Sequence, residues 1–398
     1  MNSNILKLYN IAKKDSRLIV GLMSGTSLDG LDIVLCKVKG SGIQTHIEML
    51  AFETFEYTVS FREDIKAVFS KDKVDMKLLC AMNARIGIKH AELVNTALAK
   101  WGTKAEDVDL IASHGQTVFH APKTHHSTND YPNSTLQIGD GDHIAVNTGI
   151  ITISDFRQKH VAAGGEGAPL VIYGDYLLFT NANESRILLN IGGISNFTYL
   201  PAKGKFDNLI STDVGPGNTL MNQYTQQYYS MPYDRDGAIA ASGKINNDLL
   251  TALTDHPFFS YSFPKTTGPE DFNLLFLSNA QIKSNTTKIE PSDVMATLCA
   301  FTAKSIVEAI TVLTDQGTNL KIYISGGGYK NPTLLKMLSG YLPHIPIEST
   351  SSLGIDPDAK EALLFSLLAN ETLAGAASTF PKMAGAPAVC FGKISLPE

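Results

Sequence analysis

Gly21-Leu22-Met23-Ser24-Gly25-Thr26-Ser27-Leu28-Asp29-Gly30-Leu31-Asp32 is the stretch whose reading decides the fold. Leu18-Ile19-Val20 feeds into it and Ile33-Val34-Leu35 leaves it, and both runs read as short buried strands. The polar stretch between them is then the tip of a hairpin. Gly25 and Gly30 predict backbone at positive φ and a close approach to a ligand. Thr26 and Ser27 add hydroxyls, and successive turn amides can form an anion-binding nest. Two readings stand side by side here: a turn that grips phosphate, and an ordinary Gly/Ser/Asp hairpin.

The pattern returns further along. Ile187-Leu188-Leu189-Asn190-Ile191 runs into Gly192-Gly193-Ile194-Ser195-Asn196, and Phe197-Thr198-Tyr199-Leu200 follows. After the first turn, Ile43 to Ala51 alternates as a third strand, and residues 60–102 read as helical. Buried strands follow at 108–112, ending at Ser113-His114-Gly115-Gln116-Thr117, and at 150–153, ending at Ser154-Asp155-Phe156-Arg157. After the second turn, Leu209-Ile210-Ser211 is a strand, a helix begins at Thr219 and another near Ser292. Leu320 to Ile324 is again a strand and leads into Ser325-Gly326-Gly327-Gly328, and a last helix starts near Asp358. One unit of meandering strands and helix–strand alternations therefore occurs twice, which is stronger evidence than either turn alone. The expected fold is mixed α/β, with two similar domains.

A length of 398 residues suits two or three domains of about 100–200 residues each. Apolar content of 43% and charged content of 18% describe a globular protein with a large core. A net charge of −6 speaks against nucleic acid or an anionic membrane as the main partner. No apolar run reads as a bilayer span and no secretory leader is expected. Cys36, Cys80, Cys299 and Cys390 are scattered, which fits a reduced, cytoplasmic protein better than a disulfide framework or zinc site. His125-His126 and His114/His120 are set aside as metal ligands.

Polar groups at the carboxyl ends of buried strands are where α/β proteins bind ligands, which singles out His114, Gln116, Asp155 and Arg157. Ala162 to Leu170 reads as a flexible connection or a loop over a ligand. The chain lacks both common nucleotide fingerprints, the G-x-x-x-x-G-K-[ST] loop and a G-x-G-x-x-G opening a helix. A phosphate site split between two hairpins is the remaining option. Asp213, followed by Val214-Gly215-Pro216-Gly217-Asn218, reads as a general base or as the capping aspartate of the next helix.

Gly21 to Asp32, Ser113 to Thr117, Gln137 to Asp140, Gly164 to Leu170, Asn190 to Asn196, Asp213 to Asn218 and Ser325 to Pro332 occur together in this order. In them the chain resembles the anhydro-N-acetylmuramic acid kinase family over nearly its full length. The resemblance implies two ribonuclease-H-like domains of the actin/hexokinase/Hsp70 type facing a central nucleotide and substrate cleft. The expected domains are 1–155 with about 372–398, and 156–371. It also implies a reaction in which ATP, water and 1,6-anhydro-N-acetylmuramate give N-acetylmuramate 6-phosphate and ADP, in cell-wall recycling. A nucleotide-gated actin-like binding protein and a kinase for an ordinary amino sugar are the alternatives.

Carried across by residue, Gly25, Thr26, Ser27, Leu28, Asp29, Gly30, Leu31 and Asp32 would form the first phosphate loop. Gly192 and Gly193 with Asn196 would form the second, and Gly326, Gly327 and Gly328 with Asn331 would lie near the adenosine. Asp213 would be the base, with Glu361 orienting water or sugar. Gln116, Arg157 and Asp155 are expected to bind the sugar and its lactyl carboxylate, where a guanidinium suits. Asp29 would partner Mg²⁺. A homodimer is implied by the resemblance alone. Val214, Glu166 and Pro269 depart from the family pattern, which commonly has threonine, glutamine and arginine there.

Overall fold

The structure is a computed structural model that describes residues 2–25, 27–123, 130–202, 209–314, 319–356, 358–380 and 387–398. Thr26 and His125-His126 lie outside the described residues. The chain divides into two compact units, Met1–Leu178 with Asp358–Glu398, and Phe179–Pro357. The crossings therefore fall 23 and about 14 residues away from the sequence expectation of 155/156 and 371/372.

The first unit contains α1 (Ser3–Ala12), β1 (Ser16–Ser24), β2 (Gly30–Lys39), β3 (His46–Glu56), α2 (Val59–Lys66), α3 (Met76–Lys100), β4 (Leu110–Ala121), β5 (Ser134–Ile138), α4 (Gly141–Thr148), β6 (Thr152–Ser154), α5 (Phe156–Ala162) and α6 (Val171–Phe179). The second contains β7 (Ser185–Ile191), β8 (Ile194–Leu200), β9 (Ile210–Pro216), α7 (Thr219–Tyr229), α8 (Ala238–Ser242), α9 (Asn247–Thr254), α10 (Leu274–Lys283), α11 (Pro291–Thr314), β10 (Leu320–Ser325), α12 (Pro332–Tyr341) and β11 (Ile347–Ser349). The chain then returns to the first unit with α13 (Lys360–Ala374) and β12 (Lys393–Ser395).

The first sheet runs β12-β6-β4-β1-β2-β3, and β5 adds to β4. The second runs β11-β10-β7-β8-β9. In each, a meander of three antiparallel strands continues into two parallel ones beside the first strand. This shared 3-2-1-4-5 order is the ribonuclease-H-like arrangement that the family resemblance implies, and the duplication read from the sequence is present in the two sheets.

Alternation places the side chains. In β1, Val20 and Leu22 join a core with Met82, Ile86 and Val94 of α3. Gly21 points to the other face, where a Cβ would lie 2.1 Å from the Ala362 carbonyl oxygen of α13. The helix that was assigned to the second domain thus packs directly on β1, which explains the shifted crossing. In the second unit, Ile187, Leu189 and Ile191 share a core with Leu298, Phe301 and Ile306 of α11. Helix α11 is long and apolar enough, by length and composition, to cross a membrane, contrary to the sequence reading; 72% of that span is buried within the protein.

Local differences have local causes. The expected helix over 60–102 is two helices, because Ser70 takes positive φ and Asp75 caps α3 by accepting from Lys77 N and Leu78 N. Strand β3 starts and ends later than expected, and as an edge strand it is mostly exposed on both faces.

Candidate active site

The first unit offers the tip between β1 and β2. Gly25 and Ser27 to Asp29 are its described residues, whereas Gly30, Leu31 and Asp32 already lie in β2, paired with Glu56, Phe55 and Thr54. Positive φ falls on Leu28 (58°), not on Gly25 or Gly30. Gly30 is glycine because a Cβ would meet the Phe55 carbonyl oxygen at 2.6 Å. A Cβ on Gly25 would meet nothing closer than the Ser27 hydroxyl at 3.7 Å. Leu28 and Leu31 are buried, so they can offer a ligand only backbone groups.

Side chains beneath brace this tip. Tyr57 OH donates to Ser24 Oγ (3.0 Å), and Ser24 Oγ donates to Gln116 Oε1 (2.7 Å). The Gln116 amide donates to the carbonyls of Gly25 and Thr117, both at 3.2 Å. His90 Nε2 lies 2.9 Å from Tyr57 OH. Since Tyr57 uses its proton on Ser24, His90 must donate from Nε2, which leaves Nδ1 a buried acceptor without a partner. Burial also pushes the imidazole down to about 3, so it is neutral. Gln116 was expected to bind sugar; in the structure its amide is engaged by the Gly25 and Thr117 carbonyls and its oxygen by Ser24.

Asp29 accepts from Ser27 Oγ at 2.7 Å, and its carbonyl accepts from Tyr57 N. Asp32 accepts from Thr54 Oγ1 at 2.6 Å. Burial raises the Asp32 carboxyl above its ordinary value; the Thr54 bond opposes this, and the charges of Asp29 and Asp358 reinforce it. Among the described residues no group of three or more His, Cys, Asp or Glu forms a metal site. Two neighbouring carboxylates fit a hard divalent cation that keeps most of its other ligands as phosphate and water.

The ends of β4 and β6 supply a second constellation in this unit. The motif from Ser113 to Thr117 does not follow its strand but lies inside β4, with Gly115 at φ 73°. His114 Nδ1 donates to the Gly115 carbonyl and Nε2 accepts from Arg157 Nε, each at 2.9 Å. Burial, then the Arg157 charge, holds that imidazole near 3, in its neutral form. Arg157 Nη1 donates to the Gly167 carbonyl at 2.8 Å. Nη2 keeps no such bond among the described residues and is available for a carboxylate.

Glu361 opens α13. It is exposed by surface, yet the surrounding protein raises its carboxyl; Arg157 and Lys360 oppose that shift and Asp32 adds to it. Asp155, at positive φ, is ion-paired to Lys393. It lines a cavity of about 350 Å³ together with His114, Asp140 and Ser395.

In the second unit, register brings a polar row across three strands. Asn190 pairs with Asn196, and Asn196 with Asp213. These side chains share the face opposite Leu189, Ile191 and Phe197. Asp213 sits inside β9, which runs on to Pro216, and Asn218 rather than Asp213 takes the N-cap position of α7. The capping alternative is thereby removed. Asp213 Oδ2 accepts from Thr267 N at 3.0 Å, and Asp213 N donates to Lys265 O at 3.0 Å. Burial raises the Asp213 carboxyl and the Thr267 bond opposes it. Val214, the residue after it, is buried in the core, so its lack of a hydroxyl does not touch Asp213's face.

Gly192 and Gly193 form the β7–β8 turn, and their carbonyls accept from Asn218 N and Gly217 N, both at 2.8 Å. Gly326 has φ 82°, with Asn190 Oδ1 2.6 Å from where its Cβ would be, so the triple-glycine loop abuts the same strand end. Asn331 is otherwise engaged than expected: its Oδ1 caps α12 by accepting from Leu334 N at 3.0 Å. Asn196 lies in a strand beside Asp213, not in the turn. Sequence reasoning missed Tyr57, His90 and Thr267, whose roles come from contacts over tens of residues.

A model of the anhydro-N-acetylmuramic acid kinase family matches residues 17–396. The chain belongs to that family. It is 51% identical over 401 residues to the anhydro-N-acetylmuramic acid kinase of Pseudoalteromonas atlantica, covering all of both chains. It is 50% identical to that of Pseudoalteromonas translucida, again over both full lengths. The relative from Caldanaerobacter subterraneus is 41% identical over 98% of this chain and 99% of its own. The family is one of kinases, and the two glycine turns are read in that light.

Proposed function

We propose that this kinase opens 1,6-anhydro-N-acetylmuramate with water and transfers the γ-phosphoryl group of ATP to the released O6, giving N-acetylmuramate 6-phosphate and ADP. The observation that carries the reading is Asp213, a carboxylate on a polar sheet face, oriented by a backbone N–H and raised by burial. A base needs such a pose and a pKa closer to neutrality. Asp213 would take a proton from water as its oxygen bonds C1 and the C1–O6 bond breaks. O6 then attacks the γ-phosphorus and the bond to the β-bridging oxygen breaks. The nucleophile is released where it is consumed, so positioning does much of the work.

The remaining residues take supporting roles. Amides of residues 25–29, and of Gly192 and Gly193, would hold phosphates, and the Gly326–Gly328 loop would lie near the adenosine. Arg157 Nη2 would face the lactyl carboxylate, with Asp155 and Glu361 toward the sugar and its water. Mg²⁺, held by Asp29 and Asp32 through phosphate or water, would offset charge on the transferring group. The free cysteines agree with a cytoplasmic setting. A homodimer, and the absence of nucleic-acid or membrane partners, complete the proposal.

Turnover in ¹⁸O-labelled water tests the chemistry. One labelled oxygen at C1 of the product, and none in the phosphate, is expected. An unlabelled C1, or phosphorylation of a ring-opened sugar at the same rate, would refute it.

A further inference from the structure

Asp213 depends on a short segment that sequence reasoning did not connect with it. Residues 265–267 run beside β9: Lys265 O accepts from Asp213 N, and Thr267 N donates to Asp213 Oδ2, both at 3.0 Å. Thr212 ties the same segment again. Its hydroxyl accepts from Lys265 N (3.0 Å) and donates toward the carbonyls of Asp213 (3.1 Å) and Lys265 (3.2 Å).

What holds the segment is the Lys265 side chain. Its ammonium donates to the carbonyls of Phe258 (3.0 Å) and Phe259 (3.4 Å). It also lies 4.4, 5.8 and 5.4 Å from the ring centroids of Phe258, Phe259 and Phe263. Burial lowers the Lys265 ammonium below its ordinary value, and Glu308 of α11 opposes that only through space. A half-buried ammonium matched by ring faces and carbonyls is a directional anchor. The rings are themselves fixed: Phe258 and Phe259 pack on Phe272, and Phe259 on Phe301 of α11.

We infer that Lys265 is a positioning residue for Asp213: caged by Phe258, Phe259 and Phe263, it fixes the segment whose Thr267 N–H orients the carboxylate. The inference rests on the reading of Asp213 as the base. Lys265 touches neither sugar nor nucleotide in this role, so its loss lowers turnover and leaves binding alone. Losing the Thr267 bond also removes the one influence that opposes burial, so the carboxylate would need a higher pH to ionise.

The test is the pH profile of the full-length enzyme for Lys265→Met, Lys265→Arg, Thr212→Val and Asp213→Asn. For Lys265→Met we expect kcat down about tenfold, KM for ATP and sugar within about twofold, and the acid limb of kcat/KM moved to higher pH. Lys265→Arg, which keeps a cation over the rings, should restore most of the rate and the limb. Thr212→Val, which keeps the cage, should reproduce the Lys265→Met signature in milder form, and it stands in if Lys265→Met does not fold. An unmoved acid limb in both variants overturns the inference, whatever happens to rate. Normal turnover by Asp213→Asn overturns it too, and assigns the failure to the base reading rather than to Lys265.

Discussion

The two glycine turns occupy the same place in duplicated sheets, yet they are fixed in different ways. The tip between β1 and β2 is braced mainly by side chains, through the line from His90 to Tyr57, Ser24, Gln116 and the Gly25 carbonyl, with the Tyr57 N bond to the Asp29 carbonyl beside it. The turn at Gly192-Gly193 is held by backbone, through bonds from Gly217, Asn218 and Thr219 N. Duplication preserved the topology and the amide-rich turn but not the support. One site should therefore fail by loss of a side-chain polar group, the other by addition of a methyl group.

The largest effect expected is Gly217→Ala. The new Cβ would lie 2.3 Å from the Gly192 carbonyl oxygen, a backbone atom that cannot swing away. Denaturant unfolding should show a loss of about 1–3 kcal/mol, with turnover lost as well. Gly25→Ala is the counterpart and sharpens the contrast. With 3.7 Å of room, stability should stay within about 0.5 kcal/mol, because no contact in the fold is strained. Its KM for ATP should rise all the same, because the methyl group obstructs close approach of phosphate. Equal destabilisation by both alanines would break the comparison.

Gln116→Ala should come next. It removes the shorter acceptor of the buried Ser24 hydroxyl, which keeps only the Gly30 carbonyl at 3.3 Å, and it frees the Gly25 carbonyl, for a stability cost of about 1–3 kcal/mol by unfolding and a raised KM for ATP. Unchanged ATP kinetics would return Gln116 to a purely structural role. Tyr57→Phe removes one link of the same line and should give a smaller rise in the same constant, about two- to fivefold, with the sugar KM unaffected.

The smallest effect is spectroscopic. Burial favours neutral imidazole at His90 and at His114, each held near 3. Their ring signals should therefore not titrate between pH 8 and 5 while the protein stays folded. The unfolded chain takes up these protons near pH 6.5, so their burial costs stability as pH falls below that value. Titration of the His90 ring near pH 6.5 in the native protein would contradict the neutral imidazole placed beside Tyr57, and titration of the His114 ring would contradict its role as acceptor from Arg157.

Much of this was legible from residues alone. Apolar runs around two polar turns located β1, β2, β7 and β8, and the repeat of that pattern gave the duplicated fold. Contacts that span sequence were not legible. Nothing near Gln116 says that its amide is spent on Gly25, and nothing in Asn331 distinguishes an adenosine contact from a helix cap. Strand ends were misjudged where polar residues continue a ladder, as at Ser113 to Thr117 and at Asp213, because an apolar run marks a strand only as far as its side chains are apolar, and here polar residues, several of them buried, carry the pairing on. Helix α13 was misassigned because its apolar faces do not reveal which sheet they cover; Gly21, opposite Ala362, is the residue that decides it.

The central claim is that Asp213 drives a sugar-dependent phosphoryl transfer, and ADP release measures it most directly. Wild type and Asp213→Asn would each be mixed with ATP and Mg²⁺, with and without 1,6-anhydro-N-acetylmuramate. The account predicts release that requires the sugar in wild type and falls by about 10²-fold or more in the variant, as loss of a general base does. Release without sugar, or full activity in Asp213→Asn, would contradict it.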